Sequence, residues 1–222
     1  MAFNFNKAKC KVVRGAISKD LAMFIYNYIL LKRQVYNTLS EAKYISPFEQ
    51  MHGYYEKANE QIPFTYACYG DIAMDTLMLK LQPIMEKVTG MKLQPSYTYT
   101  RVYKDGDVLL RHKDRFSCEI SCTVHLGHSH QWPIFIDPDP THGKETPTGY
   151  IMGEGKGLKV NFEPGDMIAY HGLELEHWRE KFKGTDYGQV FVHYNQTKTE
   201  GAKENLFDRR LHVGLPSRFK RR

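Results

Sequence analysis

A histidine and an aspartate stand one residue apart in the segment RHKDRFSCEIS, which covers positions 111–121. Side chains two positions apart on an extended chain point to the same side, so His112 and Asp114 can reach one ligand. An imidazole and a carboxylate on one face can bind a divalent metal ion. Charged surface pairs have the same spacing, and a third ligand downstream is needed to distinguish a metal site from a surface pair.

Two histidines downstream are candidates for that third ligand. His171 and His177 both lie in the segment FEPGDMIAYHGLELEHWREKF. Two histidines and one carboxylate that leave coordination positions open are typical of non-heme Fe(II) oxygenases. The residue types therefore indicate iron chemistry. They do not decide whether His171 or His177 is the third ligand.

The composition restricts the class of protein. A chain of 222 residues, 41% of them hydrophobic, suits one domain with a sizeable core, and its 15 tyrosines and 12 phenylalanines favour strands. The four cysteines form no CxxC pair, and we expect free thiols in a reducing compartment. The N-terminus has no apolar signal core, and no window is long and apolar enough to span a membrane. We therefore expect a soluble cytoplasmic protein.

The first 90 residues predict two helices, with a short strand before the first. Residues 9–14 predict a short strand, and Ser18 is a good N-cap for the helical run that follows. Residues 41–70 are mixed in composition and predict an irregular connector. A second helix is expected over residues 71–90, with Gly90 at its end and Pro83 kinking or interrupting it.

After Gly90 the pattern changes to short strands separated by turns, which is typical of a barrel or sandwich. The expected strands cover residues 96–103, 118–126, 132–137, 157–172 (with a turn at 164–166) and 188–195. Residues 137–157 form the longest stretch without a predicted element. We expect one domain, 1–222, with a helical N-terminal elaboration (1–95), a β-core (96–196) and a C-terminal extension with a basic tail (197–222).

Two blocks of this β-core resemble the 2-oxoglutarate- and Fe(II)-dependent dioxygenases, in particular their prolyl-hydroxylase-like branch. One is YTRVYKDGDVLLRHKDRFSCEISCTVHL, in which a Tyr-bearing strand precedes the H-x-D pair. The other is PGDMIAYHGLELEHWREKFKGTDYGQVFVHYN, in which a Pro-Gly-Asp turn leads into a strand and a histidine follows. The resemblance implies an α+β fold with a double-stranded β-helix core, jelly-roll or cupin-like, on which N-terminal helices pack.

The same resemblance implies a set of metal ligands and a reaction. His112 and Asp114 correspond to the proximal ligands, and His177 to the distal one; His171 is the alternative, closer to the Gly-Asp turn. The implied cofactor is Fe(II), with 2-oxoglutarate as co-substrate and ascorbate as an optional addition. The implied enzyme hydroxylates an unactivated C–H bond and releases succinate and CO₂.

The sequence departs from the family where the co-substrate should bind. The family carries an Arg or Lys nine to ten residues after its distal histidine, and Asp186 and Tyr187 stand there instead. Another donor must then bind the remote carboxylate of 2-oxoglutarate. The candidates, in order of preference, are Arg179, Tyr103, His125, Gln189 and Arg115. Structural roles compete with this one: Arg179 could pair with neighbouring glutamates, and Tyr103 and His125 could be core residues.

Other chemically capable residues are expected to have ordinary roles. The sequence predicts exposed loop positions for three histidines, His128, His130 and His142. Glu119 is expected to face solvent from a strand. Trp132 is expected in the core.

The expected partners are O₂ and a peptidyl, protein or small amino-acid substrate. No membrane association is expected. Three alternatives remain open. The net charge of +6 favours a nucleic-acid demethylase of the same superfamily only slightly, because the terminal run SRFKRR is typical of a solvated tail. A non-catalytic β-barrel binding protein would explain the missing basic residue. A cupin-like enzyme with a different metal set is the third alternative, and metal binding separates the non-catalytic protein from the enzymes.

Overall fold

Three α-helices and thirteen strands make up the part of the chain that the computed structural model describes, which is residues 4–46, 49–56 and 62–221. The helices are α1 (Phe5–Ala8), α2 (Lys19–Glu41) and α3 (Ile72–Thr89). The strands are β1 (Cys10–Val13), β2 (Tyr54–Glu56), β3 (Thr65–Tyr69), β4 (Leu93–Tyr103), β5 (Leu109–His112), β6 (Ile120–His128), β7 (Ile134–Ile136), β8 (Lys144–Thr146), β9 (Gly149–Ile151), β10 (Leu158–Val160), β11 (Met167–His171), β12 (His177–Arg179) and β13 (Tyr187–Gln196).

The strands form two main antiparallel sheets. The major sheet has seven strands in the order β1-β11-β6-β13-β4-β3-β2, and the minor sheet has four in the order β10-β7-β12-β5. Along the core, β4 to β7 alternate between the two sheets, and so do β10 to β13, with β7 and β10 paired in the minor sheet. This order is that of a double-stranded β-helix. The expected α+β fold with a jelly-roll core and helices packed on it is therefore confirmed.

The segment expected to be an irregular connector instead extends the major sheet. Within residues 41–70, β2 and β3 pair with each other, and β3 continues the sheet beside β4. The prediction of a connector was wrong because TYACY, which forms β3, is rich in residues that suit a pleated surface and is almost wholly buried. Residues 1–95 thus supply three strands, β1 to β3, besides their helices.

Helix α2 begins where the sequence predicts and packs on the major sheet. Ser18 Oγ accepts a hydrogen bond from the backbone N–H of Leu21 (3.2 Å). Farther along, the ring of Tyr26 lies against Gly127 of β6 and Gly188 of β13, where a Cβ on either glycine would overlap the ring. These glycines permit the helix to approach two adjacent strands closely.

Helix α3 is continuous, and the prediction of an interruption at Pro83 was wrong. The helix runs from Ile72 to Thr89 and ends at Gly90, which has the left-handed φ of 73°. A proline removes one backbone hydrogen bond, but Leu81 and Met85, on either side of it, are fully buried. Their packing against the major sheet holds the helix together. Within the described ranges, no helix has the length and apolar character needed to cross a bilayer.

Two segments beyond the helices are more ordered than expected. The long loop 137–157 contains a hairpin of β8 and β9, so the prediction that it is structureless was wrong. The C-terminal extension folds back on the core, while residues 218–221 of the basic run at its end are exposed. Arg210 is fully buried, donates to the backbone carbonyl of Leu215 (2.7 Å) and forms an ion pair with Asp75 (3.0 Å). The four cysteines are free thiols, as predicted.

We predict that Arg210→Met lowers the free energy of unfolding by about 3 kcal/mol, because it leaves the buried carboxylate of Asp75 without its charged partner. Urea denaturation measures the change. Arg209→Met, at the exposed neighbouring position, is the control and is expected to shift the free energy by less than about 0.5 kcal/mol. Equal effects of the two substitutions would contradict the importance of the ion pair.

Candidate metal centre

Three side chains converge between the two sheets. His112 ends β5, His177 begins β12, and the two residues face each other in the antiparallel register of the minor sheet. Asp114 follows in the loop after β5. Its Oδ1 lies 3.8 Å from Nε2 of His112 and 3.7 Å from Nε2 of His177. All three ligand atoms lie within 4.8 Å of one another, which brings them within reach of one metal ion.

The imidazoles are oriented by their own strands. Nδ1 of His112 lies 2.8 Å from the carbonyl oxygen of Leu110, and Nδ1 of His177 lies 3.1 Å from that of Leu175. A carbonyl only accepts hydrogen bonds, so Nδ1 carries the proton in each ring and Nε2 presents a lone pair. In each ring, Nε2 is the nitrogen that faces Asp114. A metal ligand must present an unprotonated nitrogen to the ion, and a proton on Nδ1 leaves Nε2 available for this.

The third ligand is fixed by close contacts with the strand β11 and the turn after it. The backbone N–H of Asp114 donates to the carbonyl of Gly172 (2.8 Å). A Cβ on Gly172 would run into the carboxylate of Asp114 and the carbonyl of Cys118. Behind the carboxylate, Ser121 Oγ lies 2.8 Å from Nδ1 of His193 and, at 3.5 Å, just reaches Oδ2 of Asp114. Glycine at 172 is thus required by the approach of the carboxylate.

Burial disfavours charge at this centre. Burial raises the pKa of Asp114, and the nearby His112 and His193 oppose this effect. Burial also lowers the pKa of His177 well below its usual value, and His112 lowers it further. The side chain of Asp114 keeps 14% of its surface exposed, and a divalent cation bound there would stabilise its charged form.

A cavity of about 310 Å³ opens onto the three ligands. Sequence reasoning found only Tyr103 among its other lining residues. Alternation along β4 places Tyr97, Tyr99 and Arg101 on the same face as Tyr103, and this period of two was the signal that could have found them. Phe191 and His193 line the cavity from β13 in the same way.

Arg179 does not line this cavity. It is buried, with 1% of its surface exposed, beside the aromatic cluster of Tyr103, Trp132 and Tyr187, and this cluster with Arg179 and Gln189 is called the deep end. Its guanidinium sits 4.8 Å from the ring centre of Trp132 and 4.9 Å from that of Tyr187. It donates to the carbonyl of Trp132 and to Oε1 of Gln189 (2.9 Å). Among the residues that the structure describes, no carboxylate lies within ion-pair distance of this buried cation, and pairing with the neighbouring glutamates is not observed.

The other co-substrate candidates divide into two groups. Gln189 and Tyr103 lie with Arg179 in the deep end, whereas Arg115 lies on the far side of Asp114 and pairs with Asp208 (2.9 Å). His125 is fully buried; its Nε2 lies 2.6 Å from Nδ1 of His128, and its ring stacks on Tyr187 at 4.4 Å. Three buried polar groups of the deep end have an atom without a hydrogen-bond partner in the described structure: Nε of Arg179, Nε2 of Gln189 and the hydroxyl of Tyr187.

The remaining sequence candidates are outside the centre. His171 on β11 pairs with Glu174 (3.2 Å) and is not among the three converging ligands. Glu119 is 5% exposed, and its carboxylate accepts from Asn195 (3.1 Å) and Thr199 (2.6 Å), so the expectation of a solvent-facing residue was wrong. His130 is exposed in a loop, as predicted, and His142 lies in a loop where it hydrogen-bonds Asp137 (2.9 Å). The prediction of an exposed loop position was wrong for His128, which ends strand β6 and is half-buried. Trp132 is a core residue, as expected.

Solved structures share this architecture, although no family model and no curated protein matches the sequence. A prolyl-4-hydroxylase from Pseudomonas putida superposes with a TM-score of 0.54 at 14% identity, over 86% of this chain and 95% of its own. The non-heme α-ketoglutarate-dependent epimerase SnoN of nogalamycin biosynthesis has a TM-score of 0.61 at 12% identity, over 87% of this chain and 80% of its own. EctD from S. alaskensis, solved with 2-oxoglutarate and 5-hydroxyectoine, has a TM-score of 0.56 at 11% identity. The superposition covers 86% of this chain and 73% of EctD.

These likenesses establish the class of fold. The chain has the double-stranded β-helix of the non-heme, 2-oxoglutarate-dependent oxygenases. The likeness to prolyl hydroxylases that the sequence implies is confirmed at the level of the fold. The similar proteins differ in the reactions they catalyse, so the fold does not identify a substrate.

We predict that His177→Ala weakens Fe(II) binding at least 100-fold, because it removes one of three ligands and leaves a gap that water fills poorly. His171→Ala is the matched control and is expected to keep the wild-type affinity. Anaerobic titration with Fe(II) measures both. Retained binding in the first variant and lost binding in the second would transfer the ligand role to His171.

We also predict an acid-sensitive fold in which His125 takes part. Burial lowers the pKa of His125 from 6.5 to about 3, with the nearby His128 contributing. The unfolded chain therefore takes up a proton first, and the free energy of unfolding falls by up to about 1.4 kcal/mol per unit as pH drops from 6.5 towards 3. His125→Gln should flatten this part of a stability-against-pH curve. An unchanged slope would exclude His125 as a contributor.

Proposed function

We propose that this chain is an Fe(II)- and 2-oxoglutarate-dependent dioxygenase that hydroxylates an unactivated C–H bond. The observation that carries the proposal is the convergence of His112, Asp114 and His177 on one point at the mouth of a cavity. Two histidines and one carboxylate leave part of the coordination sphere free, which suits iron that must also bind a co-substrate and O₂. The shared fold supports this class of reaction.

The chain's own residues would prepare the centre in three ways. The imidazoles of His112 and His177 donate from Nδ1 and would present Nε2 to the metal, and Asp114 would supply a carboxylate oxygen. Ser121 and His193 lie behind the carboxylate and restrict its rotation. Iron, when bound there with 2-oxoglutarate, supplies the oxygen activation and the oxidative decarboxylation that yield succinate and CO₂.

We propose that the remote carboxylate of 2-oxoglutarate binds at the deep end, which the cavity reaches at its lining residue Tyr103. Arg179 is a buried cation without a carboxylate partner in the described structure, and Gln189 beside it has an unused amide N–H. A buried charge costs free energy unless it is paired, so an anionic ligand bound beside Arg179 would offset this cost. Arg179 would thus replace, from β12, the basic residue that the sequence lacks at positions 186 and 187. Tyr103, where the cavity meets the deep end, is placed to add a hydroxyl donor.

The substrate would enter from the open side of the cavity, past aromatic walls. Tyr97, Tyr99 and Phe191 provide faces that suit a small apolar ring or chain. We therefore propose a prolyl or related amino-acid side chain, free or in a peptide, as the substrate. Burial of the reacting group among these rings would also exclude water from the iron.

We predict that Arg179→Gln raises the KM for 2-oxoglutarate about 100-fold, because a hydrogen bond between charged groups in a buried site contributes about 2–3 kcal/mol. Arg101→Gln is the comparison, since Arg101 lines the cavity itself and donates to Tyr99 (3.2 Å). Steady-state succinate release measures the KM for both. A larger effect at position 101 would move the carboxylate site to that arginine.

The reaction class itself is tested by product analysis. The protein, loaded with Fe(II) and supplied with 2-oxoglutarate and O₂, is incubated with proline-containing peptides and with free amino acids. The proposal predicts succinate release together with the gain of one oxygen atom by the substrate, measured by mass spectrometry. Asp114→Ala should abolish both signals. Succinate release that is unaffected by Asp114→Ala would contradict the assignment of the site.

A further inference from the structure

The C-terminal extension reaches the metal centre from outside the β-helix. After β13 ends at Gln196, the chain turns back and a short 3₁₀ segment, Leu206–Arg209, lies against the loop that follows Asp114. At its centre is Asp208, which is 2% exposed. The contacts of this carboxylate indicate a role beyond anchoring the chain end.

Asp208 is the acceptor for four different side chains. Its Oδ1 accepts from Ser117 Oγ (2.6 Å) and from Arg115 Nη1 (2.9 Å), and its Oδ2 accepts from Arg115 Nη2 (3.2 Å). Tyr69 and Lys220 (3.1 Å) also donate to Oδ2. The paired hydrogen bonds from one guanidinium fix both distance and angle, which a single lysine contact would not do.

The backbone around Asp208 is strained. Phe207, Asp208 and Arg209 have φ angles of 58°, 53° and 65°, so three successive non-glycine residues adopt the left-handed region. Each such residue costs about 1 kcal/mol or more and persists only where its surroundings enforce it. The contacts of the Asp208 side chain are the surroundings that can maintain this strained turn.

Those partners belong to the segment that carries a metal ligand. Arg115 directly follows Asp114, and Ser117 lies in the turn between Asp114 and strand β6. The same turn is held from β13 by Asn195, which donates to the carbonyl of Phe116 (2.9 Å). Among the residues that the structure describes, Asp114 itself is held by the backbone contact to Gly172 and by the long approach of Ser121. Asp208 thus adds two side-chain anchors, through Arg115 and Ser117, to the turn that follows Asp114.

We propose that Asp208 is a positioning residue of the metal centre: through Arg115 and Ser117 it fixes the backbone after Asp114, and so the direction of that carboxylate. The proposal rests on the proposed function only in taking Asp114 as a ligand. It gives the C-terminal extension a part in metal binding that the β-helix alone does not supply.

A matched pair of variants tests this. Asp208→Asn removes the charge that binds Arg115, while Asp75→Asn weakens the other buried carboxylate that anchors the extension, through Arg210 and the backbone N–H of Gly214 (2.7 Å). Both variants are expected to be less stable to urea. Only Asp208→Asn should weaken the affinity for Co(II), used as a spectroscopic substitute for Fe(II), by at least 10-fold, and alter the visible spectrum of the bound ion.

Two results would overturn the proposal. One is an unchanged Co(II) affinity and spectrum in Asp208→Asn, and the other is an equal loss in both variants, which would show that the extension matters only as an anchor. Rescue by Asp208→Glu would support the carboxylate's role, because it restores the charge near Arg115.

A measurement on the metal-free protein separates this proposal from the proposed function. Backbone N–H groups of Asp114, Cys118 and Glu119 form hydrogen bonds within or across the loop. Asp208→Asn should accelerate their hydrogen exchange, and Asp75→Asn should not. If the wild-type protein bound no metal, the proposed function would fail, and this exchange experiment would still decide whether Asp208 holds the loop. Unchanged exchange in Asp208→Asn would overturn the positioning role.

Discussion

The pairing of β5 with β12 is the constraint on which the candidate site depends. It sets His112 opposite His177, although 64 residues separate them in the chain, and it brings both Nε2 atoms towards Asp114. A shift of one residue in this register would turn one histidine to the other face of the sheet. The rest of the minor sheet, and the major sheet packed against it, therefore serve to hold this single register.

The interior between the sheets carries unusual charges for a protein core. Asp114 is half-buried at the mouth of the cavity, and Arg179 is buried in the deep end without a carboxylate within ion-pair distance in the described structure. Both arrangements cost free energy in the empty protein and are relieved by ligands of the opposite charge, a divalent cation at one end and a carboxylate at the other. The large apolar core between the helices and the outer face of the major sheet offsets this cost.

Much of the metal centre could be predicted from the sequence because its signals are local. The H-x-D pair, the Pro-Gly-Asp turn and the distal histidine are short motifs in fixed order, and the core strands have clear turns between them. The residues that sequence reasoning missed depend on contacts across the sheets: Arg101 and His193 enter the cavity through strand register, and Asp208 reaches the site from the chain end. Glu119 was misplaced for a local reason, since a 3₁₀ turn delays the start of β6 to Ile120.

The central claim is that the converging ligands hold iron in a form that 2-oxoglutarate can chelate. The most direct measurement is an anaerobic titration of the pure protein with Fe(II), followed by 2-oxoglutarate, monitored by visible absorption. The account predicts a weak charge-transfer band that appears only when both are present and is absent from Asp114→Ala. Failure to bind iron, or iron binding without the band, would contradict it.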